Sequence, residues 1–376
     1  MIKVCTLGFG NCGGQIADLA MKQYQIPGIA INSSSKDLSN INHVTKIILG
    51  NTLGSGKNRD QAKSFIKMHI AALLQQDKFT TMINENDIIF IISSIGGGTG
   101  SGMAPMMCDI LSRKFSEKKF ILVEVYPPIG ESLAAQQNSL DYLKEVRSNM
   151  PNVTYMAYDN NKYATLTTPE MMQKVNNEIV EMLPVFRGDY FYPTPFNSID
   201  DQDLLTIVGT PGRMAVYILN NIKEKDFDSK SIEDSMIDII KNISANVELD
   251  RDKIVKKIGI ITNLNNKLNK LIDPNYTKIQ ELIGTPVELF EHVYMTATND
   301  ETNRMVLILT GLSVPDDRLT KVVQRIESGL EELAQVKESS VLDNTESNSK
   351  IKELRSQVMK QSDEFDMDDL FGKYGG

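Results

Sequence analysis

The sequence predicts a doubly wound α/β domain with a ligand at the carboxyl ends of a parallel sheet, followed by a smaller α+β unit. Three observations predict it. Strand-like and helix-like segments alternate through the first half of the chain. The run Asp87 to Ser93 is apolar almost throughout, as a strand covered on both faces must be. Apolar runs also end in glycine turns, at Gly8 to Gly13, Leu53 to Gly56 and Gly96 to Gly102, and ligands of such sheets sit where strands give way to helices.

The elements follow in order. Ile2 to Leu7 is a short strand, and Gly14 to Gln23 reads as a helix. Gly28 to Ile31 is a second strand ending at Asn32, and Lys46 to Leu49 a third. Gln61 to Gln76 is helical, Asp87 to Ser93 is a strand, and Met103 to Lys118 is a helix with Met103, Met106, Met107, Ile110 and Leu111 on its apolar face. Phe120 to Tyr126 and Val153 to Tyr158 supply further strands. Pro169 to Leu183 is a long central helix stopped by Pro184, and Asp189 to Asp203 reads as an acidic, proline-containing loop. A second unit from about Gly209 carries strands at Lys257 to Thr262, His292 to Thr296 and Met305 to Thr310, and Pro315 opens a last long helix. The expected domains are therefore 1–165 for the ligand, 166–188 for the central helix, 189–312 for the second domain, 313–338 for the C-terminal helix and 339–376 for a flexible tail.

Composition narrows the function. Hydrophobic residues make up 41% and charged residues 24% of the 376, ordinary values for a globular chain. No apolar run reaches the roughly 18 residues of a membrane helix. Met1 to Cys5 enters a strand pattern with no cationic stretch ahead of it, so no leader is expected, and a cytoplasmic location is. Three cysteines, Cys5, Cys12 and Cys108, form neither a disulfide framework nor a metal-ligand spacing, and three scattered histidines, His43, His69 and His292, read as structural or surface residues. No protein-built metal site is expected. A net charge of −9 argues against direct binding of nucleic acid along a broad basic face.

The glycine turns carry the chemistry. Backbone N–H groups can wrap a phosphate only where side chains do not block approach, and a following helix N-terminus adds positive potential. Gly96-Gly97-Gly98-Thr99-Gly100-Ser101-Gly102 has five glycines in seven positions between a buried strand and a helix, with Thr99 and Ser101 as hydroxyl donors. A flexible linker would not sit there. Gly8 to Gly13 fits G-x-G-x-x-G, which also suits a dinucleotide-dependent oxidoreductase, but the acidic ribose partner expected about 20 residues on is absent: the second strand ends in Asn32. Gly54-Ser55-Gly56-Lys57 resembles a P-loop, with Asn51 in place of its first glycine and Asn58 in place of its Ser or Thr. Several such turns suggest convergence on one polyphosphate.

Gly96 to Gly102 matches the phosphate-binding signature of the tubulin/FtsZ superfamily, and the chain resembles that family from about residue 1 to 215. Gly10-Asn11-Cys12-Gly13-Gly14-Gln15 looks like tubulin's first loop, which implies that Gly10, Asn11 and Cys12 lie near the phosphates and Gln15 near the base. Leu53 to Gly56 looks like the third loop of FtsZ, which senses the γ-phosphate, and Asn32 falls at the family's asparagine after the second strand. Asp159-Asn160-Asn161-Lys162 is similar to the base-reading loop, with Asn160 as the guanine contact and Asn177 (or Asn176) reading guanine from the other side. Glu131 is the ribose candidate. Ile199-Asp200-Asp201-Gln202-Asp203 resembles the FtsZ loop that completes the neighbouring subunit's site, which makes Asp200 and Asp203 the implied catalytic carboxylates.

The resemblance thus implies a tubulin/FtsZ-like Rossmann-type GTPase that binds GTP/GDP with Mg²⁺ and assembles head to tail. The fifth and sixth loops depart from FtsZ: Tyr126 to Glu131 has no nearby arginine, and the Ile-Pro-Asn-Asp sequence is missing. A tubulin-like first loop with an FtsZ-like acidic loop and a long C-terminal helix is similar to TubZ-type segregation tubulins, which implies a DNA-binding adaptor docked on the tail, with no membrane partner. A division-type filament is the alternative. The acidic tail Asp363 to Asp369 would suit an adaptor, polymer regulation or simple solubility.

Overall fold

The computed structural model describes residues 1–50, 53–224, 246–247, 255–272, 286–298 and 302–339. The strands are β1 (Val4–Phe9), β2 (Gly28–Asn32), β3 (Thr45–Ile48), β4 (Ile88–Ser94), β5 (Lys119–Tyr126), β6 (Thr154–Asp159), β7 (Gly212–Asn220), β8 (Lys257–Asn263), β9 (Glu288–Tyr294) and β10 (Arg304–Leu312). The helices are α1 (Gly10–Tyr24), α2 (Ser35–Leu38), α3 (Arg59–Leu73), α4 (Asp77–Glu85), α5 (Thr99–Lys114), α6 (Leu133–Asn149), α7 (Thr168–Arg187), α8 (Asp201–Val208), α9 (Asn266–Ile272) and α10 (Asp316–Ser339), with a 3₁₀ turn at Asn160–Tyr163.

All ten strands join one sheet in the order β3-β2-β1-β4-β5-β6-β7-β10-β8-β9. From β3 to β7 every pairing is parallel. β10 lies antiparallel to both β7 and β8, and β9 returns parallel to β8. The first six strands have the 3-2-1-4-5-6 order of a dinucleotide fold, whose topological switch point lies between β1 and β4. The strands of the second half continue the same sheet through β7, a strand the sequence reading did not foresee.

The faces of the sheet follow the period of two. In β7, Met214 and Val216 point into a core shared with Ile16, Ile179 and Ile207. Ala215, Tyr217 and Leu219 point into a second core with Ile258, Ile260 and Leu307. β4 is buried on both faces, which explains its unbroken apolar run.

Two helix boundaries differ from expectation for physical reasons. α5 starts at Thr99 rather than Met103, inside the glycine loop, so the loop's last residues are already helical. α7 runs through Pro184 to Arg187 and stops at Gly188, which is left-handed (φ 89°). The roughly 3 kcal/mol that an interior proline costs is offset by burying Val185 and Phe186, each worth about 1.5–3 kcal/mol. The acidic segment is also shorter as a loop than expected, because α8 begins at Asp201.

Pro105 has no N–H to give Ser101, its partner one turn back. Arg59 Nη2 donates to the Ser101 carbonyl instead, at 3.1 Å, and also to Glu145 at 2.7 Å. Glu145 binds Lys63 as well, so one cluster joins α3, α5 and α6 behind the glycine loop. Deeper, Arg147 of α6 makes a two-pronged pair with the fully buried Glu124 of β5, both contacts at 3.0 Å, and stacks on Tyr155.

Residues Met1–Asp316 form one compact unit, and residues 317–339 of α10 are the described part of a second. The tail beyond Ser339, with its acidic cluster, lies outside the described residues.

Arg147→Met leaves Glu124 buried without its counter-charge. Unfolding in guanidinium should show a loss of about 3–5 kcal/mol, more than a surface substitution produces.

Candidate functional site

The site is built where β1 and β4 end side by side. Gly10 takes φ +71°, and a Cβ there would come within 3.0 Å of the Gly100 amide. A Cβ on Gly13 would lie 2.1 Å from the Ile92 carbonyl, so the first turn of α1 can pack against β4 only without a side chain. The glycine turns at Gly8 to Gly13 and at Gly96 to Gly102 are thereby pressed together.

The Leu53 to Gly56 turn closes on them from the side of β2. Gly54 N–H donates to Ser33, and Ser34 bridges to Leu53. The Thr99 hydroxyl is shared with Ser33 Oγ at 2.8 Å and Ser55 Oγ at 3.1 Å. A Cβ on Gly98 would strike Ser55 Oγ at 2.5 Å and Lys57 Cα at 2.6 Å. Asn58 caps α3 by accepting from Gln61 N–H, which accounts for its place after Lys57. By contrast, a Cβ on Gly97 would meet only the Ser94 carbonyl, at 4.0 Å. The cradle is therefore tight between its loops and open at Gly97, as a phosphate-binding turn must be.

The remaining expected residues are placed as follows. Ser101 turns its hydroxyl back onto the Gly97 carbonyl, so it braces the loop rather than facing outward. Cys12 packs against the core, and burial pushes its thiol up to about 12, so it stays protonated. Gln15 donates to Asn11 one turn back on α1. Asn32 is buried, donating to Asp37 and accepting from Ser34 N–H, which ties β2 to α2. Lys57 bonds Glu131 at 3.3 Å and Ser132 at 3.1 Å, linking the Leu53 to Gly56 turn to the loop after β5. Asn160 is buried in the 3₁₀ turn, which is held to α7 by the Tyr163–Glu178 hydrogen bond and to the β5 loop through Asn161 and Ile129 N–H. Asn177 is not brought to the glycine turns. It accepts from Gln23, eight residues and roughly 12 Å along α1 from Gln15.

Asn138 was not foreseen. It lies in α6, and its amide donates to the carbonyls of Lys57, Gly96 and Gly97 at 3.0 to 3.3 Å. Turning those carbonyls away leaves the N–H groups of the loop facing outward. Nothing local marks it, since its partners lie more than 40 positions away.

Asp200 and Asp203 lie elsewhere. Asp200 is the N-cap of α8, accepting from Asp203 N–H at 2.8 Å, and Asp203 accepts from Asp200 N–H at 3.1 Å. This reciprocal capping box uses one oxygen of each carboxylate. Asp201 pairs at 2.7 Å with the amino group of Met1, at the start of the chain leading into β1. The glycine turns follow the other end of β1, and its six residues span roughly 20 Å. The carboxylates and the phosphate cradle thus occupy opposite ends of the sheet.

Against known proteins, residues 3–167 match the Tubulin/FtsZ family, GTPase domain. The chain carries a tubulin/FtsZ GTPase domain. The tubulin-like protein TubZ of Clostridium botulinum C phage is 21% identical over 99% of each chain. The tubulin-like protein CetZ of Pyrococcus abyssi is 24% identical over 57% of this chain, a match spanning 60% of CetZ's own length. Cell division protein FtsZ 2 of Halobacterium salinarum is 23% identical over 60% of this chain and 58% of its own. Among solved structures, a GTPγS-form protofilament of Bacillus thuringiensis serovar israelensis TubZ superposes with a TM-score of 0.71 at 16% identity, covering 89% of this chain and 94% of that one. The tubulin/FtsZ domain accounts for the glycine cradle. Among the described residues no helix is long and apolar enough to cross a membrane, and no group of three or more His, Cys, Asp or Glu side chains is arranged to hold a metal ion.

Removing the Asn138 amide frees three carbonyls at the cradle. Asn138→Ala should weaken GTP binding roughly tenfold, the effect of one to two lost hydrogen bonds, as read by nucleotide titration, while the far-UV spectrum stays unchanged.

Proposed function

We propose that this chain hydrolyses GTP between two stacked copies of itself, and that the resulting polar filaments segregate plasmid or phage DNA. One observation carries the first part: the phosphate cradle and the paired carboxylates stand at opposite ends of one sheet, with Asp201 beside Met1. A single subunit cannot bring them together, whereas a second copy stacked end to end can. Asp200 and Asp203 of one copy then face the γ-phosphate held by the next, where a carboxylate orients the attacking water or takes its proton.

The nucleotide is held by the backbone of Gly10, Asn11, Gly96, Gly97, Gly98 and Gly100, with Thr99, Ser55 and Lys57 at the terminal phosphates. Asn160 and Gln15 are assigned to the base and Glu131 to the ribose. Asn177 is assigned there only as a residue that would have to leave Gln23. The donors around the cradle are hydroxyls and amides, which suits a Mg²⁺ carried largely by phosphates and water. Bound there, the ion would neutralise phosphate charge.

The segregation role rests on the sequence match to a phage TubZ, which runs the length of both chains, where the sequence matches to CetZ and FtsZ are part-length. On this reading the tail, 340–376, recruits a DNA-bound adaptor in the cytoplasm. The part-length match to a cell division protein favours a second reading, a division filament. Deleting 340–376 and measuring co-sedimentation with adaptor-loaded DNA separates the two: unchanged capture rules out docking through the tail.

Two measurements test the chemistry. GTP should raise the melting temperature and NAD should not, because only a ligand of the native state stabilises it. Asp200→Asn keeps a good N-cap while removing the charge. It should polymerise with GTP yet turn it over at least about tenfold more slowly; undiminished turnover in this variant and in Asp203→Asn would reject the mechanism.

A further inference from the structure

His292 is buried in β9, and both its ring nitrogens are committed to the segment that leads into α8. Nδ1 lies 3.2 Å from the Ile199 amide, and Nε2 lies 2.9 Å from the Tyr192 carbonyl. An amide can only donate and a carbonyl can only accept. The ring is therefore neutral with its proton on Nε2. Ile199 immediately precedes Asp200, the N-cap whose box orients both carboxylates.

The same strand grips the segment at further points. Val293 N–H donates to the Asn197 carbonyl, Asn197 Nδ2 donates to Glu291, and the Thr194 hydroxyl donates to the Val293 carbonyl. Of these contacts, the one nearest α8 is made by a side chain that can take up a proton near neutral pH. Phe191 meets the imidazole edge-on at 5.2 Å, and Tyr294 stands 6.0 Å away.

We propose that His292 is a positioning residue for hydrolysis: its neutral imidazole fixes Ile199, and through it the first turn of α8, so that Asp200 and Asp203 meet the neighbouring copy's nucleotide in a defined orientation. The inference rests on the interface-hydrolysis reading above. Burial lowers the pKa of His292 from its ordinary value of 6.5, which keeps the ring neutral at pH 7 and above. Protonation puts an N–H against the Ile199 N–H, and that bond is lost. A lowered folded-state pKa means that stability is complete above the ordinary value and falls as pH drops below it. The titratable and charged groups facing this cluster are Asp189, Tyr190 and Tyr192 on the segment, Glu181 of α7, Glu291 and Tyr294 on β9, and Arg304 of β10, which stacks over Tyr190 at 5.0 Å. Burial raises the phenols of Tyr190 and Tyr294, the latter to about 12, so neither changes charge in this range.

The test uses the full chain, with GTP turnover per polymerised subunit measured from pH 5.5 to 8 beside nucleotide affinity and pelleted mass. Displacing a catalytic group by about 1 Å can cost roughly a hundredfold, so His292→Leu should lower kcat roughly tenfold or more while GTP affinity and polymer mass hold. His292→Asn offers Ile199 an acceptor that does not titrate. It should recover most of what Leu loses, and its turnover should lack the acid limb of the unsubstituted protein. Normal kcat in His292→Leu, or the same acid limb in His292→Asn, overturns the proposal. If His292→Leu fails to polymerise, the comparison of pH profiles decides. Loss of turnover in Asp200→Asn beside normal His292 variants sinks this inference alone, whereas full turnover in both Asp200→Asn and Asp203→Asn sinks the reading beneath it.

Discussion

The contact on which the site depends is the one between α1 and β4, where the Gly13 backbone lies against the Ile92 carbonyl with no room for a side chain. Parallel pairing of β1 with β4 makes the two strands end at the same level, and the 3-2-1-4 order sends their connections to opposite sides. Two helix starts then face one cleft. Gly10 can touch Gly100, and Gly100 can lie against the Phe9 carbonyl, because neither carries a Cβ, and Thr99 is tied to Ser33 and to Ser55 of the Leu53 to Gly56 turn. The ordered cradle follows from this one close approach.

Around that contact the protein uses buried and half-buried polar groups as braces. Arg59 takes the carbonyl that Pro105 leaves free, and Asn138 turns three carbonyls of the cradle inward. Such groups are costly to bury unless paired, and the Arg59 Nη2 and the Asn138 amide are each paired with carbonyls of another element. The cradle is thereby held before any ligand arrives. A loop that is already ordered loses less entropy on binding than one that must first be arranged.

Local chemistry was legible in the sequence and distant pairing was not. The glycine turns and the unbroken apolar run of β4 are short-range signals, and their positions were found within a residue or two. The Asp-x-x-Asp of Asp200 to Asp203 could have been read as a helix start, because it precedes the apolar residues Leu204, Leu205, Ile207 and Val208 and spells a capping box. Resemblance drew attention to its charge instead. From sequence His292 reads as structural or surface, since its partner Ile199 is 93 positions away and nothing near it in the chain is acidic cleft or metal motif. Asn138 and β7 were missed for the same reason: each is defined by what it meets across the fold. Pro184 misled because a local rule was outweighed by burial on both sides of it.

The capping box gives the acidic pair a constrained mutational neighbourhood. Asp200 and Asp203 each supply an oxygen to a backbone amide, so on the proposed mechanism the residues that start α8 are also the residues offered to a neighbour. Lengthening either side chain to glutamate would move the charge and unseat the cap together, and truncation would do the same. Drift at these two positions is therefore confined to a narrow path, mainly through asparagine, along which the helix persists while its charge disappears. A chain that had taken that path would still fold, and its relationship to its active ancestors would be visible in everything except its acidity.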